Sequence, residues 1–234
     1  MNDLFYYFDS RELPTGDAFD EITEILPKNR IEKIKRLRRT NDKRLSASAG
    51  LLLCFALSGS GFPLSDTYAD LRGKPYFPEY PGFKFSLSHS GCFAACLISG
   101  SECGCDIEKI GKPNLGIADR HFSPAEQTII SDASEDDRAD VFYKLWTLKE
   151  SYIKFDGRGL ALPLSSFSVD LSGDGIRVRE RGTLRKCALF SYDIIHGYKA
   201  AVCLSGEKKE GPVPRPVHFD DIVNTVRSPK QVYR

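Results

Sequence analysis

Between Phe83 and Ile98 the chain announces a β-hairpin, and this stretch restricts the fold more than any other. Phe83, Phe85 and Leu87 alternate with Lys84, Ser86 and Ser88, Ser90-Gly91 interrupts the rhythm, and Phe93 to Ile98 is an unbroken apolar run. Alternation buries one face of a strand, and a short apolar run reads as a strand buried in a core. Helical spacing precedes it. Ile31, Ile34 and Leu37 mark a basic helix over 28–38, and Leu45, Ala49, Leu52, Leu53 and Ala56 line one side of a second helix that Gly59-Ser60-Gly61 and Pro63 end. Sheet and helix periods in one chain predict an α+β fold.

The second half returns to the same theme. Ser123-Pro124-Ala125-Glu126 has the serine, proline and glutamate of a capped helix start, and a longer helix is predicted over 141–155. Strands are predicted near 167–171 and 176–179, then a hairpin over 189–204 turning at His196-Gly197. Gly91-Cys92-Phe93-Ala94-Ala95-Cys96-Leu97 is echoed by Gly197-Tyr198-Lys199-Ala200-Ala201-Val202-Cys203-Leu204 with one insertion, which suggests two similar halves. We place an N-terminal half at 1–103 and a C-terminal half at 104–205. From Gly206 the chain turns polar and proline-bearing, and 206–234 is read as an appended tail.

Bulk properties exclude several classes. With 234 residues, 41% of them hydrophobic, the chain can bury a core of ordinary size. Its start has no basic stretch ahead of the apolar residues, and the longest apolar stretch, 49–57, is too short to span a bilayer, so a cytoplasmic protein without a membrane partner is expected. Seven cysteines form an odd set without a Cys-x-x-Cys pair, and reduced thiols are expected. Cys92, Cys96, Cys103 and Cys105 lie near one another, but their apolar neighbours make them buried thiols rather than zinc ligands. A net charge of +1 gives no general ground for nucleic-acid binding. Locally, Lys28 to Arg44 is strongly basic, which fits either a solvated helix face or an anion-attracting surface.

Three groups of residues could carry chemistry. Asp106 and Glu108 are two apart on a predicted strand and share a face, where a hard cation would relieve their repulsion; a solvated polar face is the plainer alternative. Trp146, Glu150 and Lys154 are spaced by four and share a helix ridge, as would a core tryptophan beside an ordinary ion pair. Ser88-His89-Ser90 lies at a strand end, suited to anionic oxygens, but it lacks the glycine-flanked elbow of a serine hydrolase.

Taken in order, Gly73-Lys74-Pro75, Phe85-Ser86-Leu87-Ser88-His89-Ser90, Gly104-Cys105-Asp106-Ile107-Glu108, Trp146-Thr147-Leu148-Lys149-Glu150-Ser151-Tyr152-Ile153-Lys154 and Gly157-Arg158-Gly159-Leu160 resemble the Sfp-type 4′-phosphopantetheinyl transferases. The resemblance covers roughly 27–204, departing at Ser86, where asparagine is frequent, and at Cys105, where a branched aliphatic residue is usual. It implies a pseudo-dimeric α+β fold with the active site in the cleft between two similar halves. It implies coenzyme A as co-substrate, Mg²⁺ as cofactor, and an apo acyl or peptidyl carrier protein as partner. By resemblance Asp106, Glu108 and Glu150 hold the metal, and Asp106, Glu150 and Lys154 form the catalytic set. Lys74, Ser88, His89, Lys149 and Lys154 contact phosphates, and Arg30, Lys33 and Arg44 hold the 3′-phosphoadenosine end. Glu126 matches a family glutamate, although its place in the capping motif already accounts for it. A chain of this length resembles the monomeric branch of the superfamily. The alternative is a relative that binds coenzyme A or a nucleotide without turning it over.

Overall fold

The computed structural model describes residues 1–173 and 175–227. Strand β1 (Leu4–Asp9) leads to helices α1 (Asp17–Thr23), α2 (Lys28–Arg36) and α3 (Thr40–Gly59), the short strands β2 (Tyr68–Ala69) and β3 (Pro75–Tyr76), and then β4 (Lys84–Ser90), β5 (Phe93–Ser99) and β6 (Cys103–Lys109). Helices α4 (Leu115–His121), α5 (Pro124–Asp132) and α6 (Arg138–Asp156) follow. The chain continues through β7 (Phe167–Asp170), β8 (Arg177–Glu180), β9 (Thr183–Leu184), β10 (Cys187–Ile195), β11 (Tyr198–Ser205), β12 (Pro214–Pro216) and α7 (Phe219–Arg227). Helices and mainly antiparallel strands make the fold α+β. No helix among the described residues is long and apolar enough to cross a membrane.

Two compact units divide the chain, one built from Met1–Asp70, Pro75–Gly100 and the segment from Val213 onward, the other from Leu71–Lys74 and Ser101–Pro212. In the first unit a sheet of order β12-β1-β5-β4 carries the predicted hairpin, β4 and β5, and every residue of β5 is buried. Helix α3 packs on β5 and is itself covered by α2 and α7, so it is apolar almost all round, with Leu51, Leu52 and Ala47 inaccessible. The basic helix is shorter than expected: it ends at Arg36 because Leu37 turns to extended backbone before α3 begins.

The segment beyond Gly206 is more than a tail. Strand β12 pairs in parallel with β1, matching Phe5 with Pro214 and Tyr7 with Pro216. This is an edge position, where a proline's missing N–H does no harm. Helix α7 then turns Phe219, Ile222, Val223 and Val226 toward the core of the first unit, with Ile222 wholly buried. Burying one such side chain stabilises by about 2 kcal/mol, which is why the segment folds back. Residues 228–234 of the expected tail lie outside the described residues. The expected boundary after residue 103 falls instead between Gly100 and Ser101.

In the second unit β10, β11 and β6 form an antiparallel sheet in that order, with α6 packed across β6 and β11. Phe142, Leu145, Leu148 and Tyr152 of α6 supply the core, joined by Phe167 and Val178 of the β7-β8-β9 sheet. Gly157 ends α6 with φ +81 and donates its N–H to the Ile153 carbonyl, a left-handed cap that glycine adopts without steric cost.

Candidate active site

A glycine sets the distance between β6 and α6. A side chain at Gly104 would overlap the Ser151 carbonyl oxygen and the Phe155 amide nitrogen, so helix backbone lies directly on the strand there. Strand alternation puts Asp106 and Glu108 on the same face as Gly104, turned to α6, while Cys105 and Ile107 on the opposite face are inaccessible. Lys154 of α6 donates from Nζ to Asp106 Oδ1 at 2.7 Å, with the Asp106 side chain 4% and the Lys154 side chain 29% exposed. One helical turn earlier stands Glu150. Burial first, then the Asp106 charge, and more weakly Glu108, push its carboxyl up to about 7 in spite of Lys154. Burial pulls the Lys154 ammonium down, but Asp106 and Glu150 more than reverse this and hold it above its ordinary range. Trp146 heads the same ridge, half-buried and stacked on Phe122 and Phe142 with centroids 6.3 and 6.1 Å away. The structure thus gathers Asp106, Glu108, Glu150 and Lys154 on the facing surfaces of one strand and one helix.

Could these residues hold a metal ion? Among the described residues no three Asp, Glu, His or Cys side chains stand close enough to enclose one as they are. The donors are nevertheless hard carboxylate oxygens, and the charges of Asp106 and Glu108 add to the upward push that burial gives the Glu150 carboxyl. A hard divalent cation relieves such repulsion, so the donor set fits Mg²⁺.

Other expected site residues have different tasks. Lys149, expected at a phosphate, is inaccessible: its ammonium donates to both Glu126 oxygens at 2.9 Å and to the Phe167 carbonyl at 2.8 Å, and lies 4.2 Å from the centre of the Phe167 ring. An ammonium has three donors and all are engaged, which corrects the expectation. Glu126 caps α5 as predicted, accepting from the Ser123 amide at 2.7 Å, and it also accepts from the Val169 amide at 2.7 Å. Arg44, expected at the 3′-phosphoadenosine end, instead clasps the Ser10, Leu13 and Pro14 carbonyls at 2.7–2.8 Å. Its two terminal nitrogens secure the turn after β1, a second correction. Lys74 donates to Glu102 Oε2 at 2.7 Å and to the Cys103 and Phe155 carbonyls at 3.2 and 3.1 Å, placing a cation at the C-terminal turn of α6.

The first unit holds the remaining candidates. Arg30 and Lys33 are three apart on α2. Arg30 lines a small cavity with Pro27, Asn29, Gly50 and Cys54, and burial lowers its pKa. Burial, and then Arg30, lower that of Lys33. At the end of β4, Ser88 is buried and His89 exposed.

Two residues near the carboxylates were given no role of their own in the sequence analysis. Gly104 had the signal of a glycine inside a strand, which marks close backbone approach. Lys199 had the signal of a lysine in an apolar run: it stands directly across from Glu108 on β11, is 5% exposed, and binds Asp140 at 2.7 Å and Asp193.

Comparison with known proteins adds an independent line. The profile of the 4′-phosphopantetheinyl transferase superfamily matches residues 102–203, the stretch that contains β6 and α6. A 4′-phosphopantetheinyl transferase of Bacillus subtilis is 34% identical over 207 residues, 86% of this chain and 91% of the relative. The 4′-phosphopantetheinyl transferase Sfp of Bacillus subtilis (strain 168) is 42% identical over 132 residues, 56% of this chain and 59% of that one. Among solved structures, the holo-[acyl-carrier-protein] synthase of Thermotoga maritima aligns with a TM-score of 0.38 and 15% identity, over 46% of this chain and 64% of that one.

Proposed function

The chain belongs to the 4′-phosphopantetheinyl transferase superfamily, and from that premise we propose that it transfers the 4′-phosphopantetheine arm of coenzyme A to a serine of an apo acyl or peptidyl carrier protein. The observation that carries the reading is the carboxylate cluster of Asp106, Glu108 and Glu150 with Lys154 bonded to Asp106. Asp106, Glu108 and Glu150 would hold Mg²⁺, which supplies positive charge against the pyrophosphate of coenzyme A. Glu150, directly or through water, accepts the proton of the carrier serine as its oxygen attacks the phosphorus bearing the pantetheine arm. The bond from that phosphorus to the bridging oxygen breaks, and 3′,5′-ADP departs. Lys154 lies beside Asp106 and stabilises or protonates the leaving phosphate. Lys74, by exchanging the exposed Glu102 carboxylate for a phosphate, joins Ser88 and His89 at the coenzyme A phosphates, and Arg30 with Lys33 attracts the 3′-phosphoadenosine end. The enzyme acts as a cytoplasmic monomer.

Mass spectrometry of an apo peptidyl carrier incubated with the protein, coenzyme A and Mg²⁺ tests the reading. The expected result is a gain of one phosphopantetheine, abolished by EDTA and by Asp106→Ala. No gain on peptidyl, polyketide or fatty-acid carriers, with coenzyme A still bound, would instead indicate a binding protein.

A further inference from the structure

Lys149 and Glu150 are consecutive on α6, so their side chains leave the helix axis about 100° apart. Lys149 points to the interior and Glu150 to the edge where Asp106 stands. What holds Lys149 comes entirely from outside α6: Glu126 belongs to α5 and the Phe167 carbonyl opens β7. Glu126 is fixed in turn. Its Oε1 accepts from Lys149 and the Val169 amide, and its Oε2 from Lys149 and the Ser123 amide. With four donors on two oxygens, this carboxylate is not available as a base or as a metal ligand.

A wholly buried ion pair is no economical source of stability, because an apolar pair of similar volume commonly serves as well. What apolar contacts lack is direction. The three bonds of Lys149 resist rotation of α6, and rotation matters: a turn of about 10° moves an atom about 6 Å from the axis by about 1 Å. We propose that the Glu126–Lys149 pair is a positioning device for Glu150, fixing the rotation of α6 and so the alignment of Glu150 with Asp106 and Glu108. The proposal rests on the transferase reading of that cluster.

Lys149→Met keeps the length of the side chain and removes its directed bonds. Val178→Ala, in the core of the second unit and opposite Val169 in the sheet, serves as a comparison that loses stability while leaving the groups that bond Lys149 in place. At a temperature where both are folded, kcat for carrier modification is expected to fall about 100-fold in Lys149→Met relative to Val178→Ala. KM for coenzyme A and for the carrier should change by less than about threefold. In crystals of Lys149→Met, the Glu150 carboxylate should be displaced relative to Asp106. A kcat within about threefold of Val178→Ala, or an undisplaced Glu150, overturns the proposal. So does a raised KM for coenzyme A with kcat intact, which would make Lys149 a phosphate contact. Should Lys149→Met fail to fold, Glu126→Gln, which keeps an oxygen for the Ser123 amide, is read in the same way. If the unaltered protein modifies no carrier, the transferase reading has failed, and the position of Glu150 in the variant crystals still decides this proposal.

Discussion

The geometry of the candidate site depends on an absent side chain. Because Gly104 lets Ser151 and Phe155 lie on β6, the next residue on that face, Asp106, reaches Lys154 at 2.7 Å. A methyl group at position 104 has no room, so Gly104→Ala should destabilise the protein by about 1–3 kcal/mol and slow transfer by lifting Lys154 away from Asp106. Urea unfolding checks the first effect and carrier modification the second. Unchanged values in both would mean that α6 does not depend on this contact. The carboxylates were legible in the sequence because their spacing of two on a strand and the spacing of four along Trp146, Glu150 and Lys154 are local properties. Lys149 was not legible. Whether a helical lysine turns outward to an anion or inward to a buried carboxylate depends on Glu126, 23 residues away.

Among the elements, the strands and helices with regular apolar patterns were the ones foreseen. The hairpin of β4 and β5, the capped start of α5 and the long helix α6 were all read from their own residues. Helix α7 has an equally regular stripe in Phe219, Ile222, Val223 and Val226, but the prolines before it gave the region the look of a tail. Its burial against α3 makes a different prediction from an appended segment. Ile222→Ala should cost about 2–5 kcal/mol, the loss expected of a closely packed core position, measurable as a lowered urea midpoint. A loss below about 0.5 kcal/mol would place Ile222 among surface substitutions and contradict its burial.

At the scale of the whole chain, five of the seven cysteines, Cys54, Cys96, Cys103, Cys105 and Cys203, are buried. Only Cys92 and Cys187 are partly exposed. A thiol reagent should therefore label these two first in the native protein and all seven once it is denatured; rapid native labelling of five or more would show that the cores are not closed as described. Composition and local periodicity determined a good part of this protein: its α+β class, the hairpins, the strand carrying Asp106 and Glu108, and the ridge carrying Glu150 and Lys154. Each of these follows from residues within a few positions of one another, where strand and helix periods dictate which side chains share a face. Tertiary structure alone decided the rest. It brought the Asp106 strand under the Glu150 helix, took Lys149 and Arg44 from expected phosphate contacts into buried or backbone-binding roles, and folded the last helix onto the first unit. In each of these cases the partner lies far along the chain, and only packing selects which of several available polar groups a charged side chain meets.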